Sequence, residues 1–139
     1  MNEAILVDTN VMIYAVDVDS QFHQFALNFL LYSDARLYTT SKNLTEFLVA
    51  LTRSQNMDID GAKALDVLDG LLPYMQIIYP SSESWGIFAE LVRKYRPQGL
   101  WIHDIEIASI ALANGITKIA TKNVGDFSRI HEIEIVSEG

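Results

Sequence analysis

Residues 6–17, LVDTNVMIYAVD, set one charged and two polar side chains, Asp8, Thr9 and Asn10, inside a run that otherwise reads as buried apolar chain. A buried carboxylate needs a partner, and an acid held in such a place is a candidate for chemistry. Residues 4–8 (AILVD) are short, aliphatic and β-branched, which predicts a buried strand ending on Asp8.

Downstream of it, helices and strands alternate. Residues 21–33 carry Phe22, Phe25, Ala26, Phe29, Leu30 and Tyr32 near helical spacing, with Ser20 as the expected N-cap. Residues 36–40 (RLYTT) predict a strand running into Ser41, which is expected to cap a helix from 42 to about 54. Asp58 or Asp60 opens a further helix ending near Leu72-Pro73, with Gly70 a weak point inside it. Residues 76–79 (QIIY) predict a third strand closed by Pro80, and Ser82 is expected to cap a helix over 83–95 that Pro97 ends. Residues 104–114 are apolar on nearly every face and predict a core helix stopping at Gly115 as C′ residue. Strands over 117–121 and 132–136 make five. Alternating strands and helices predict one α/β domain over 1–139, in three α/β/α layers around a mainly parallel five-stranded sheet with right-handed crossovers.

The chain has 139 residues, enough to bury a core, and 50 % of them are apolar. There is no cysteine, so disulfides, thiolate metal sites and thiol nucleophiles are excluded, and any metal must be held by oxygen or by one of three histidines. The N-terminal run has no basic n-region, and Asp8 interrupts it, so no signal peptide is expected. No 18-residue apolar stretch predicts a transmembrane helix, and a cytoplasmic protein without membrane contact is expected. A net charge of −8 argues against direct binding of a phosphate backbone. That objection falls if several of the acids neutralise metal ions instead.

In open α/β sheets the functional crevice lies outside the carboxyl ends of the strands. Asp8 ends the first strand and Glu46 lies early in the helix after the second, beside the apolar Leu44, Phe47, Leu48, Ala50 and Leu51. Asp104 opens the apolar helix, where the helix dipole favours an ionised carboxylate, and Asp126 follows the fourth strand. Taken singly, Asp8 reads equally well as a turn cap and Asp104 as an N-cap. Together, four acids from four elements point at one region. Carboxylates so close cannot all stay ionised without a cation, and a site made of carboxylates suits Mg²⁺ or Mn²⁺. Such ions activate water and stabilise the leaving oxygen in phosphodiester hydrolysis.

The stretches LVDTNVMIYAVD, TSKNLTEFLVALTRS, HDIEIASIALANGITKIATKNVGDF and IEIV resemble the PIN-domain family, in particular its VapC-type toxin members, from Ile5 to Val136. The resemblance implies a Mg²⁺- or Mn²⁺-dependent endoribonuclease, with Asp8, Glu46, Asp104 and Asp126 as its metal-binding and catalytic acids. It implies Asp8 and Asp104 as the most direct ligands and Glu46 as a ligand through water. Asp126 completes the pocket, with a second metal as its other expected role. Thr9 and Asn10 on one side, and Thr121 and Asn123 on the other, are expected to orient these acids. Some family members carry an acid where this chain has Asn123, and GITKIATKN is one residue longer than the commonest spacing. The resemblance further implies a homodimer and a VapB-like antitoxin peptide that displaces the metal.

Asp17 and Asp19 read as loop or cap groups, and Glu106, about 200° around the helix from Asp104, faces away from it. His103 reads as a helix-capping residue, while His23 and His131 are assigned no chemistry. Arg93, Lys94 and Arg96 fall in the last turn of a helix, where cations suit the dipole. Lys42 and Lys122 flank the acids and are the expected contacts to an RNA backbone. Trp85, Trp101, Tyr74 and Tyr79 read as core packing. An aspartyl-phosphate enzyme built on Asp8 wants a second Asp two residues on, where this chain has Asn10. The alternative to a nuclease is a PIN-like module that binds RNA or protein with little turnover.

Overall fold

The computed structural model describes residues 2–53 and 58–136. Ser54, the end of the helix expected from residue 42, lies outside them. Strand β1 (Ala4–Val7) leads into α1 (Thr9–Val16) and α2 (His23–Tyr32), then β2 (Arg36–Thr40), α3 (Ser41–Arg53) and α4 (Gly61–Asp69). A 3₁₀ turn over Leu72–Tyr74 precedes β3 (Gln76–Ile78), α5 (Ser82–Tyr95) and α6 (Trp101–Ala113). The chain closes with β4 (Lys118–Ala120), α7 (Val124–Phe127) and β5 (Glu134–Val136).

The sheet order is β3-β2-β1-β4-β5, and every described pairing is parallel, more uniform than the expected mainly parallel sheet. Alternation along β1 divides the core. Ile5 and Val7 face one layer with α1–α4, including Met12, Ala26, Phe47 and Leu68. Leu6 faces the other with α5–α7, including Leu91, Ile105, Ile110 and Phe127. Three layers result. After β1 the chain builds outward through β2 and β3, then returns to β1's other side as β4. The strand order therefore reverses between β1 and β4, which puts the crevice of a doubly wound sheet beside Asp8 and Thr121.

Local chemistry accounts for the element ends. Ser81 and Ser84 form a reciprocal capping box at α5, with N···Oγ distances of 3.0 and 2.8 Å. The cap is thus Ser81, one residue before the expected Ser82, which lies inside the helix. Thr40 likewise replaces Ser41 at α3, accepting from Asn43 N at 3.1 Å. Asp60 caps α4 through Lys63 N at 3.0 Å, and Gly70 ends that helix, so it does not run on to Leu72. Ser20 does not cap α2; its hydroxyl accepts from Phe22 N in the preceding turn. Gly115, at φ +73°, is the C′ residue as expected, and Ile116 N to Ala111 O with Gly115 N to Leu112 O completes a Schellman motif.

Two larger differences bear on the site. Helix α1 begins directly after Asp8, over residues where no element is predicted. It packs among the sheet, α2 and α3, so Val11, Met12 and Ala15 are buried while Ile13, Tyr14 and Val16 are partly covered. A helix covered on most sides carries no amphipathic period to read. Helix α6 starts at Trp101, three residues before Asp104, because the Trp101 indole is drawn inward and donates to Asp126 O at 3.0 Å. Asp104 and His103 therefore lie within the first turn of α6, and neither caps it. Of the four aromatics read as core, Trp101 is buried, whereas Trp85, Tyr74 and Tyr79 are exposed. None of these three enters either core.

Candidate active site

Asp8 is 6 % exposed and sits where β1 hands over to α1. Its backbone N donates to Ala120 O at 3.0 Å, so the carboxylate is placed by the β1–β4 pairing itself. Oδ1 accepts from Thr9 N at 2.8 Å and Asn43 Nδ2 at 3.1 Å. Oδ2 accepts from Thr121 Oγ1 at 2.7 Å and Asn10 Nδ2 at 3.3 Å. Four donors match the acceptor-only character of an ionised carboxylate. Burial raises the pKa of Asp8, and the bonds from Thr121, Thr9 and Asn43 oppose the rise.

Glu46 projects from the second turn of α3, partly buried, and its Oε2 accepts from Thr9 Oγ1 at 3.0 Å. Burial and the Asp8 charge raise its pKa, against the pull of that bond and of His103 and Lys42. Asp126, on the short α7, accepts from Asn123 Nδ2 at 3.1 Å. Asn123 N in turn donates to Thr121 Oγ1 at 2.9 Å, joining α7 to the end of β4.

The acids meet at Asp104. Its pKa is pushed up to about 7, first by burial, then by the charges of Asp126, Asp8 and Glu46, with a hydrogen bond to Asp126 adding to the rise. Four carboxylates from β1, α3, α6 and α7 thus act on one another across the C-terminal edge of the sheet. Among the described residues, no three acidic or histidine side chains are gathered tightly enough to form a ready-made metal cage.

The supporting residues tie the two sides together. Asn10 Nδ2 also donates to Thr121 Oγ1 at 3.2 Å, and Asn10 Oδ1 accepts from Lys122 N at 3.1 Å. Lys42 lies near Glu46 and pairs with Glu106 at 3.5 Å, linking α3 to α6. Lys122 sits over the rings of Phe22 and Phe25, 4.4 and 4.5 Å from their centroids. Both cations named from the sequence are thus engaged by protein groups.

Other acids and bases take structural places. Asp17 accepts from Asp19 N in a turn. His23 Nδ1 meets Tyr14 O at 2.8 Å, and His131 stands edge-on to Tyr95. Lys94 pairs with Glu132 at 2.6 Å. Asn43, absent from the sequence-level reading, is fully buried against Asp8. Its signal is the spacing Thr40-x-x-Asn43 at a helix start, a relative of the capping box.

A profile of the PIN domain matches residues 5–133. The chain belongs to the PIN domain family. Among solved structures, this PIN chain is similar to VapBC2 from Rickettsia felis bound to a promoter DNA fragment, at 23 % identity over 96 % of this chain and 97 % of that one, TM-score 0.71. It is similar to DNA-bound VapBC from Salmonella typhimurium, at 24 % identity over 100 % of both chains, TM-score 0.68. It is also similar to VapC20 from Mycobacterium tuberculosis, a sarcin-ricin loop cleaving toxin, at 14 % identity over 90 % of this chain and 94 % of that one, TM-score 0.68. At such identities the likeness establishes the PIN fold. No curated protein matches by sequence.

Proposed function

We propose that this PIN-domain protein is a Mg²⁺- or Mn²⁺-dependent endoribonuclease and the toxin of a toxin–antitoxin pair, working as a homodimer and restrained by a VapB-like antitoxin. The observation that carries the reading is the convergence of Asp8, Glu46 and Asp126 on Asp104, whose pKa is driven to about 7. An acid poised there shares protons with its neighbours until a cation takes their place. Similarity to VapBC complexes and to a toxin that cleaves the sarcin-ricin loop gives the direction to RNA and to an antitoxin.

The donor set fits such a cation. All four acids offer hard oxygen and the chain has no cysteine, which suits Mg²⁺ or Mn²⁺. Asp8 and Asp104 are the direct ligands in this reading, with Glu46 and Asp126 beside them. When bound, the cation supplies a nucleophilic water at neutral pH and stabilises the leaving oxygen of a phosphodiester. Thr9, Asn10, Thr121 and Asn123 fix where the acids point, through the hydrogen bonds that join β1, α3 and the β4–α7 turn. Glu46 or Asp126 would orient the attacking water. Lys42 and Lys122 hold the RNA backbone, Lys42 by exchanging its pairing with Glu106 for phosphate.

Cleavage of a structured RNA by purified protein in Mn²⁺, Mg²⁺ and EDTA, beside Asp104→Asn prepared identically, tests this. Cutting that needs the metal and falls at least ~100-fold in the folded variant is the expected result. Equal cutting by both proteins marks a contaminant and overturns the assignment. RNA retained without cutting by either moves the protein to the binding-module reading.

A further inference from the structure

We infer that Asn43 is a positioning residue that sets Asp8 and Glu46 relative to one another for the cation; the inference rests on the proposed cation site. The side chain is 0 % exposed, and its amide spans two jobs. On one side Oδ1 accepts from Thr40 Oγ1 at 2.7 Å and from Thr40 N at 3.3 Å, while Asn43 N donates back to Thr40 Oγ1 at 3.1 Å. On the other side Nδ2 gives one hydrogen to Asp8 Oδ1 at 3.1 Å and the other to Thr9 Oγ1 at 3.0 Å. The reversed amide is excluded by these partners, because it would set Oδ1 against the Asp8 carboxylate and Nδ2 against the Thr40 N–H.

The second hydrogen has a consequence one step on. The Thr9 hydroxyl accepts from Asn43 Nδ2 and has one hydrogen to give, for which Glu46 Oε2 at 3.0 Å is the nearer charged acceptor and Asn43 O at 3.3 Å the other. One buried amide therefore addresses two acids on different elements, Asp8 directly and Glu46 through Thr9. Because the amide is locked to the α3 cap, the start of that helix sets the spacing between the two carboxylates. A group that only capped α3 would have no need of the Nδ2 atom.

The same chain supplies the variant that separates capping from positioning. At α5, Ser84 performs the Asn43 half of a capping box with a hydroxyl. Asn43→Ser is therefore expected to keep the α3 cap, while its side chain is too short to reach Asp8 and Thr9. Mn²⁺ affinity by titration calorimetry, with Tm in EDTA as the fold readout, is measured for wild type, Asn43→Ser, Asn43→Ala and Thr39→Val. Thr39→Val deletes a buried hydroxyl that bonds Val7 O, so it reports lost stability alone. The expected result is a loss of ~10-fold or more in Mn²⁺ affinity for both Asn43 variants, the usual scale for groups that orient ligands, and no loss for Thr39→Val. Wild-type affinity in folded Asn43→Ser overturns the inference and leaves the cation site standing. A wild type that binds no Mn²⁺ overturns the cation site, and the inference falls with it.

Discussion

At the residue scale, burial raises the pKa of both Asp8 and Asp104, and the two differ in what surrounds them. Asp8 accepts from four donors, so Asp8→Asn turns amide hydrogens toward groups that are themselves donors. We predict a stability loss of about 1–2 kcal/mol by urea denaturation in EDTA. For Asp8 hydrogen bonds oppose burial, whereas for Asp104 the charges of the neighbouring acids add to it. Its folded pKa, about 7, lies above the ordinary 3.8, so the folded state holds the proton more tightly than the unfolded one. The stabilisation from that proton is present below pH 4 and is lost as pH rises through 7. Metal-free Asp104→Asn should thus be more stable than wild type at pH 8 by about 1–2 kcal/mol, after allowing for solvent screening of a partly buried group. The difference should shrink toward pH 4, and thermal melts at pH 4, 6 and 8 measure it. An equal effect at all three values would mean that repulsion among the acids is not what Asp104 experiences. Asp8 and Asp104 could be picked out in the sequence because each is an acid in an apolar neighbourhood. Asn43 offered only the spacing Thr40-x-x-Asn43, which marks a cap, and its link to the acids exists once its partners at the end of β1 and in α1 are in place.

At the element scale, the site depends on where helices start. Helix α1 begins immediately after Asp8, α3 immediately after Thr40, and α6 three residues before Asp104. The α5 cap lies outside the site, so it separates stability from function. Ser81→Ala should cost about 1 kcal/mol, a fall in Tm of roughly 3–5 °C, with Mn²⁺ affinity by calorimetry unchanged. A shift in that affinity would show that α5 is coupled to the acids through α6. The five strands and the long helices are legible in the chain because aliphatic runs and capping residues are local signals. Helix α1 escapes because its neighbours cover it on several sides, and the α6 start escapes because it is set by Trp101 reaching across to Asp126 O. No local pattern encodes either partner.

At the scale of the whole molecule, a net charge of −8 and a pI near 4.7 set the terms for any polyanion. Filter binding should retain RNA on wild-type protein in Mn²⁺ and fail to do so in EDTA; retention unaffected by EDTA would place the RNA away from the acids. Among the described residues, no helix is long and apolar enough to cross a membrane. The alternation of aliphatic strands with helices was enough to dictate parallel pairing, since each crossover must return the chain to the same end of the sheet. It also dictated that acids following strands would share one edge. What the chain alone left open was which groups hold those acids. The strand order β3-β2-β1-β4-β5 brings Thr121 and Asn43, 113 and 35 residues away in sequence, onto the Asp8 carboxylate beside the local Asn10. Propensity and periodicity act over a few residues, whereas a buried carboxylate takes its donors from whatever the sheet sets beside it. That is why the acids were readable from the chain, and their geometry belongs to the tertiary structure.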